Sequence, residues 1–372
     1  MQLVPNGHWR EEGATDLMLI LPDFRGGGAQ RVAVNLANGL LHRNVRIEVV
    51  VLEPSGPLAI QLGVGIRVTS IGRAKLRHAL LNLLLHIRNR QPRVVLSTMG
   101  YINLPLAAMS PVFSRRTQLW LREANLPSLS LPRSPMPRLM RYGYCVFYPF
   151  ADRIISTSER MCEEFRRDFG ISETALSKLY NPVDVDLLRM NATQVFRAPG
   201  RGPRFVAAGR MTVQKGFDRL LEMFAELRKT ESRLAILGTG PDDDKLRKLA
   251  IKLGIAGQVD FLGFVDRPWA WYAGADAYLL SSRWEGMPNV ALEALTCGTP
   301  VIATPESGGI AEVASLAESG SVTIADAGPD FVAAMHAVIP RKHFYLRSSL
   351  LPQEFHADVI LNQVTAWLRS AI

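Results

Sequence analysis

The stretch LMLILPDFRGGGAQRVAVNLANGLLHRNVRIEVVVLE, Leu17 to Glu53, decides the fold. It opens with a short apolar run, LMLILP, too short for a helix and continuous enough for a strand buried on both faces. Gly26 to Gly28 then punctuate a turn. Beyond them Val32, Ala33, Leu36, Ala37, Leu40 and Leu41 recur at helical spacing, and RIEVVVLE reads as a second strand. Strand, helix and strand in this order form a βαβ unit, which requires a parallel sheet.

The pattern continues outward. RVTSI, VVLST, TQLWL and RIISTS read as further strands, with helices expected near Lys75 to Arg90, Pro137 to Phe150 and Glu159 to Phe169. FRAPGRGPR has a linker's content of proline, glycine and arginine. After it the plan starts again with RFVAAG and a helix from Phe217, RLAILG and a helix from Asp243, then QVDFLGF, DAYLLSS, a further helix and VIATP. The reading is α/β, with two doubly wound Rossmann-like domains: 1–199, 200–350 with the boundary near Gly200, and a closing helical segment 351–372. That segment either packs locally or crosses back onto the first domain.

At 372 residues the chain exceeds one ordinary core, about 150 residues being usual for a domain. Hydrophobic residues at 48% and charged residues at 21% describe a folded protein rather than a disordered one. Cys145, Cys162 and Cys297 stand apart, with neither a CxxC pair nor a histidine cluster, so they suit a reducing compartment and carry no zinc signature. The opening MQLVPNGHWREEGATD lacks the apolar core of a secretory signal, and no apolar run reaches the roughly 20 residues of a membrane span. A cytoplasmic protein is expected, with surface attachment left open.

The net charge of +9 divides unevenly, +10 up to Ala198 and -1 beyond. Between Glu53 and Asp152 the only acid is Glu123, among thirteen bases that include Arg77, Arg88, Arg115, Arg116, Arg133, Arg138 and Arg141. Such a field attracts phosphates, anionic lipid or nucleic acid, or serves solubility alone.

Ligands of open parallel sheets collect beyond the carboxyl ends of strands. Four such places stand out. GGGA, with Gly27 and Gly28, suits an anion at a helix start, although a tight turn explains it too, and Arg31 replaces the last glycine of a dinucleotide fingerprint. In GRMTVQKG, Arg210 follows a strand and Lys215 precedes a helix, so the two cations can neutralise a diphosphate without a metal; exposed loop cations are the plainer reading. GTGP and FLGFV, at Gly238 to Pro241 and Phe261 to Val265, offer backbone groups or simple turns.

The fourth place is RWEGMPNVALEALTCG. Glu285 precedes Gly286 and Met287, Pro288 is expected at the first helical position, and amides from Gly286 to Asn289 can meet a phosphate or sugar. Glu293 lies inside the apolar run NVALEAL, where a carboxylate needs donors: a ribose diol, or an Arg or Lys elsewhere in the chain.

These residues together resemble the retaining, nucleotide-sugar-dependent glycosyltransferases of family 4, which have the GT-B fold of two Rossmann-like domains facing a cleft. Glu285 and Glu293 match the family's E-x7-E motif, Arg210 and Lys215 its basic pair, and GGGAQRVAVNLANGL its glycine loop. YNPVDVD, GTGP, LGFV and SGGIAEV follow in the family's order. The resemblance implies that Arg210 and Lys215 hold the donor diphosphate and that Glu285 touches the transferred sugar. It also implies that Gly286, Met287, Pro288 and Asn289 contact sugar and phosphate, that Glu293 binds ribose, and that Gly27 and Gly28 close over the phosphates. No cofactor is required beyond the nucleotide sugar as donor substrate.

LREANLP resembles the acceptor-side segment of some relatives, with Ala124 where several carry histidine; Glu123 and Asn125 remain candidates there, and Glu123 equally suits pairing with its many basic neighbours. The D-x-D spellings at Asp184 to Asp186 and Asp242 to Asp244 read as helix caps or solvated acids, not a metal site. KLRHALLNLLLHIRNR and PMPRLMRYGYCVFYPF combine apolar faces with arginines and suit an anionic membrane surface bearing a glycan or lipid-linked acceptor, although a core helix with basic ends is the plainer reading of the first. A sugar-nucleotide epimerase on the same fold is the alternative enzyme. A nucleic-acid binder is disfavoured, because no helix-turn-helix, zinc module or aromatic RNA motif accompanies the charge.

Overall fold

The computed structural model describes residues 15–73, 75–196, 201–227, 231–342 and 345–371. They form two compact units, 1–182 with 357–372, and 183–356.

The first unit contains β1 (Leu17–Leu21), α1 (Gly28–Leu41), β2 (Ile47–Val51), β3 (Arg67–Ser70), α2 (Leu76–Arg90), β4 (Val94–Ser97) and α3 (Gly100–Met109). β5 (Gln118–Arg122), α4 (Pro127–Ser130), α5 (Pro137–Phe147), β6 (Arg153–Ser156), α6 (Glu159–Phe169) and β7 (Leu176–Lys178) follow. Its strands are all parallel, in the order β3-β2-β1-β4-β5-β6-β7. β1, β2 and β4 are buried throughout, as continuous apolar runs require when helices cover both faces. One face packs Met18, Val50, Val95, Leu119, Leu121 and Ile154 against Ala79, Leu83 and Ile87 of α2 and Met161 and Phe165 of α6.

The second unit begins with α7 (Val185–Asn191) and β8 (Arg204–Ala208), then α8 (Phe217–Glu226), β9 (Arg233–Leu237), α9 (Asp243–Lys252), β10 (Val259–Gly263) and α10 (Trp269–Gly274). It continues through β11 (Ala277–Leu280), α11 (Asn289–Thr296), β12 (Val301–Ala303), α12 (Ile310–Leu316), β13 (Val322–Ile324) and α13 (Pro329–His336). Its strands, again all parallel, run β10-β9-β8-β11-β12-β13. The strand order turns back on itself between β8 and β11, and the crevice beyond their carboxyl ends is where such sheets bind ligands.

The sequence placed the boundary near Gly200. Residues 197–200 lie outside the described residues, and the division falls earlier, between Pro182 and Val183. α7 packs on α10 and α11, and Arg189 donates to the carbonyls of Thr296 and Arg347 at 3.0 and 2.8 Å; linker composition says nothing of the packing partners of the helix before it. The last helix, α14 (Ala357–Ser370), belongs to the first unit. It lies against α1, where a Cβ on Gly39 would stand 2.3 Å from a Leu361 methyl. Arg43 pairs with Asp358 at 2.7 Å. Arg153 lies 4.5 Å over the Trp367 ring and 5.2 Å over Trp120, the two indoles meeting edge to face at 6.1 Å.

At the other side of the first sheet, Glu48 of β2 is buried and fastens α2. Its carboxylate accepts from Thr69 at 2.7 Å and Arg90 at 3.2 Å and lies 2.9 Å from His86 Nε2. Among the described residues no helix is long and apolar enough to cross a membrane.

Candidate active site

The turn after β8 carries the first two candidates. Arg210 is exposed, and its guanidinium has no hydrogen-bond or ion-pair partner among the described residues. Lys215 ends a short 3-10 turn, Val213–Lys215, before α8. Its ammonium does not share Arg210's freedom: it pairs with the Glu285 carboxylate, which projects from the loop after β11. Glu285 is 7% exposed, and its Oε1 also accepts from Ser282 Oγ at 2.8 Å. A buried carboxylate is stable only when its lone pairs are occupied in this way.

Backbone geometry brings the two groups together. Gly216 has φ +65°, and a Cβ there would stand 2.1 Å from the Ser281 carbonyl oxygen. Only glycine allows the turn after Lys215 to run this close to the end of β11. On the other side Gly308, with φ +71°, leaves no room for a Cβ, which would stand 2.3 Å from the Glu285 carbonyl. The amide N–H of Gly309 donates to the Gly286 carbonyl at 2.6 Å. The Glu285 loop is thus held between the loop before α8 and the SGGIAEV loop after β12.

α11 starts at Asn289, one residue later than expected, with Pro288 in the capping position and no side chain capping the start. Gly286, Met287 and Pro288 are buried and Asn289 is half-buried. Glu293, expected to be enclosed by an apolar helix, is half-buried instead, because its side of α11 is not fully covered. Burial, with the negative charge of Glu293 added to it, pushes the Cys297 thiol up to about 12.

In the first unit, Gly27 caps α1 with φ -72° and Gly28 is its first residue. Asp23, buried at the end of β1, shapes this loop: it accepts from the Arg25 amide at 2.9 Å, Arg25 Nε at 2.8 Å and Gln30 Nε2 at 3.3 Å.

Glu123, a candidate acceptor-side residue or a partner for basic neighbours, is 4% exposed. Strand side chains alternate, and two positions beyond the core residues Leu119 and Leu121 the inward direction continues past the end of β5. Its carboxylate accepts from Tyr148, from Tyr144 at 3.2 Å and from Asn103 at 2.8 Å. Burial pushes its carboxyl up, against the pull of these donors and of Arg122. Gly100 lies over it, a Cβ there falling 3.1 Å from Glu123 Oε2. Asn125 is half-buried and makes no side-chain hydrogen bond among the described residues.

Asp184 caps α7, accepting from the Leu187 amide at 2.9 Å, and Asp243 pairs with Arg247 at 2.6 Å. Residues missed from the sequence are Ser282 and the ion pair of Asp218 with Arg283, at 2.7 and 2.8 Å. The available signal was their place, Asp218 just after Gly216 and Arg283 just before Glu285.

The model for Glycosyltransferase Family 4 matches residues 26–187, and that for glycosyl transferases group 1 matches residues 190–341. The chain belongs to the GT-B glycosyltransferases of family 4 type. One relative is the N-acetylgalactosamine-N,N'-diacetylbacillosaminyl-diphospho-undecaprenol 4-alpha-N-acetylgalactosaminyltransferase of Campylobacter jejuni. It is 28% identical over 57% of this chain and 58% of that enzyme. The lipopolysaccharide core biosynthesis glycosyltransferase LpsE of Rhizobium meliloti is 27% identical over 76% of this chain and 77% of its own length. The chain spans somewhat more than half the length of the first curated relatives, 58% and 57%. Among solved structures, the lipopolysaccharide outer core galactosyltransferase WaaB aligns over 96% of this chain and 99% of its own, with TM-score 0.70 and 20% identity. HepE of Anabaena, solved with UDP and glucose, aligns over 95% and 99% with TM-score 0.75 and 17% identity. At these identities the structural likeness concerns the GT-B fold.

Proposed function

We propose that this GT-B protein transfers a hexose or N-acetylhexosamine from a UDP- or GDP-sugar, with retention at the anomeric carbon, to a growing glycan or lipid-linked acceptor. The observation that carries the reading is the contact of Lys215 with Glu285 beyond the carboxyl ends of β8 and β11. An ammonium has three donors, so Lys215 can keep Glu285 while offering another to a diphosphate oxygen, and Arg210 adds a bidentate fork. Glu285 then lies at the sugar. Gly286, Met287, Pro288 and Asn289 line the α11 start toward sugar and phosphate, and Glu293 takes the ribose hydroxyls. As the anomeric C–O bond breaks, its electron pair passes to the diphosphate, where the two cations stabilise it. The acceptor hydroxyl attacks from the leaving-group face and gives its proton to the departing phosphate oxygen. The donor is the only small molecule this chemistry needs.

The relatives named above are transferases, which leaves the epimerase reading without support among them. A peripheral position on the cytoplasmic membrane face, through the basic first unit, completes the reading. α5 and its flanks expose Met136, Leu139, Tyr142 and Phe150 beside Arg133, Arg138 and Arg141, a composition suited to anionic lipid.

Donor turnover and binding across UDP- and GDP-sugars, for wild type, Glu285→Ala and Arg210→Ala, test the site. Turnover by wild type should fall on the order of a hundredfold in each variant. Equal turnover and binding in all three with every accepted donor refutes the assignment.

A further inference from the structure

The loop that presents Glu285 leaves its sheet before its main chain is satisfied. The β11–β12 ladder ends at Leu280 and Ala303, so the carbonyls of Ser281 and Ser282 lie beyond it. One side chain reaches both, and the Ser282 carbonyl also accepts from Thr304 Oγ1 at 3.2 Å and Ser307 Oγ at 3.3 Å. Arg219, in the first turn of α8, donates from Nε to the Ser281 carbonyl at 2.8 Å and from Nη2 to the Ser282 carbonyl at 2.7 Å. Nη2 also reaches Thr304 Oγ1 at 3.0 Å, on the loop after β12. One planar guanidinium thereby joins the end of β11, the end of β12 and the helix that begins just after Lys215.

The adjacent residue works in parallel. Asp218 holds Arg283 through two hydrogen bonds, and the Arg283 amide donates to the Gln214 carbonyl at 2.7 Å. Arg219 differs from this more open pair in burial: its side chain is 17% exposed, and burial lowers its pKa. Among the described residues the one carboxylate within ion-pair distance of it is Glu306, at 3.4 Å and half-exposed, a pair of small worth at such exposure. The role of Arg219 therefore lies in the carbonyls. A lysine in its place has a point charge and no fork.

We propose that Arg219 is a positioning residue for sugar transfer, setting how the Glu285 carboxylate meets Lys215 by bridging the Ser281 and Ser282 carbonyls to Thr304. It bonds neither Lys215 nor the Glu285 side chain, so it acts through the loop. The proposal rests on the function given above. A displacement of about 1 Å in a reacting group can reduce rate by roughly a hundredfold, whereas diphosphate binding by Arg210 does not depend on this bridge.

The test uses the full chain with wild type, Arg219→Ala, Arg219→Lys and Glu306→Gln, and a donor that wild type turns over. Expected for both Arg219 variants is a loss of kcat of about 10- to 100-fold with donor KM within about threefold, and UDP or GDP binding within the same limit. Methylguanidinium at millimolar concentration should restore turnover to Arg219→Ala saturably and leave wild type unchanged. Glu306→Gln should keep wild-type kcat. Hydrogen exchange at residues 281–285 should rise in Arg219→Ala and fall again with methylguanidinium. Unchanged kcat, or a loss that tracks unfolded protein and resists rescue, overturns the proposal. Wild type inactive with every donor overturns the function instead, and loop exchange then decides by itself whether Arg219 holds the Glu285 loop.

Discussion

Replacing Glu48 by glutamine removes a carboxylate that ties α2 to the sheet of the first unit. Burial pushes its pKa up, but the bonds from His86 and Thr69 and the charges of His86 and Arg90 outweigh it, holding Glu48 at about 2 against an ordinary 4.5. At 1.36 kcal/mol for each tenfold change in proton affinity, that interval corresponds to about 3 kcal/mol of folding stability. A depressed folded-state value means the contribution is whole above pH 4.5 and is lost as the pH falls toward 2. Glu48→Gln should therefore lower stability by about 2–3 kcal/mol at pH 7, with the difference from wild type shrinking steadily between pH 4.5 and about 2. Hydrogen exchange of the β2 and α2 amides across this range reads the first unit independently of the second. A gap that stays constant with pH, or no gap at pH 7, refutes the assignment of this stability to the Glu48 network.

Trp367→Ala removes an indole shared by Trp120 and Arg153 and should destabilise the first unit by about 2–3 kcal/mol, seen as a lower unfolding midpoint with nucleoside-diphosphate binding intact. An unchanged midpoint would show that α14 contributes little. Arg138→Glu with Arg141→Glu should cut sedimentation with phosphatidylglycerol vesicles at least tenfold, about 1 kcal/mol being available from each basic residue near such a surface. Neutral vesicles serve as the control, and equal binding of both proteins to anionic vesicles excludes α5 as the contact.

Much of the architecture was legible because it depends on local period. LMLIL, IEVVV and VVLS are apolar enough to identify strands buried on both faces, and ERMCEEFRRDF forms α6 over its expected span, Glu159–Phe169. Position in the fold was legible too: Arg210, Lys215 and Glu285 follow strand ends. Partnership was less so. The meeting of Lys215 with Glu285 depends on which strands are neighbours, and the reach of Arg219 to two carbonyls depends on where β11 stops. The burial of Glu123 was not legible because LREANLP reads as a loop, while the side-chain alternation of β5 carries one step into it. Pro182 was missed as a division because nothing in α7's own sequence says which sheet it will cover.

The assignment of α14 to the first unit makes residues 183–356 a single uninterrupted insert within the other unit. The two ends of that insert are paired with each other: the Val183 amide donates to the Phe355 carbonyl at 2.9 Å, and Val183 and His356 form a parallel bridge. The insert is therefore the portion that can be excised as one piece, its ends already side by side, whereas the remainder needs both of its segments present. Loss of the final helix at the ribosome or to a protease would fall on the unit that was made first, by removing the partner of α1, and would leave the unit bearing Lys215 and Glu285 with its own chain complete.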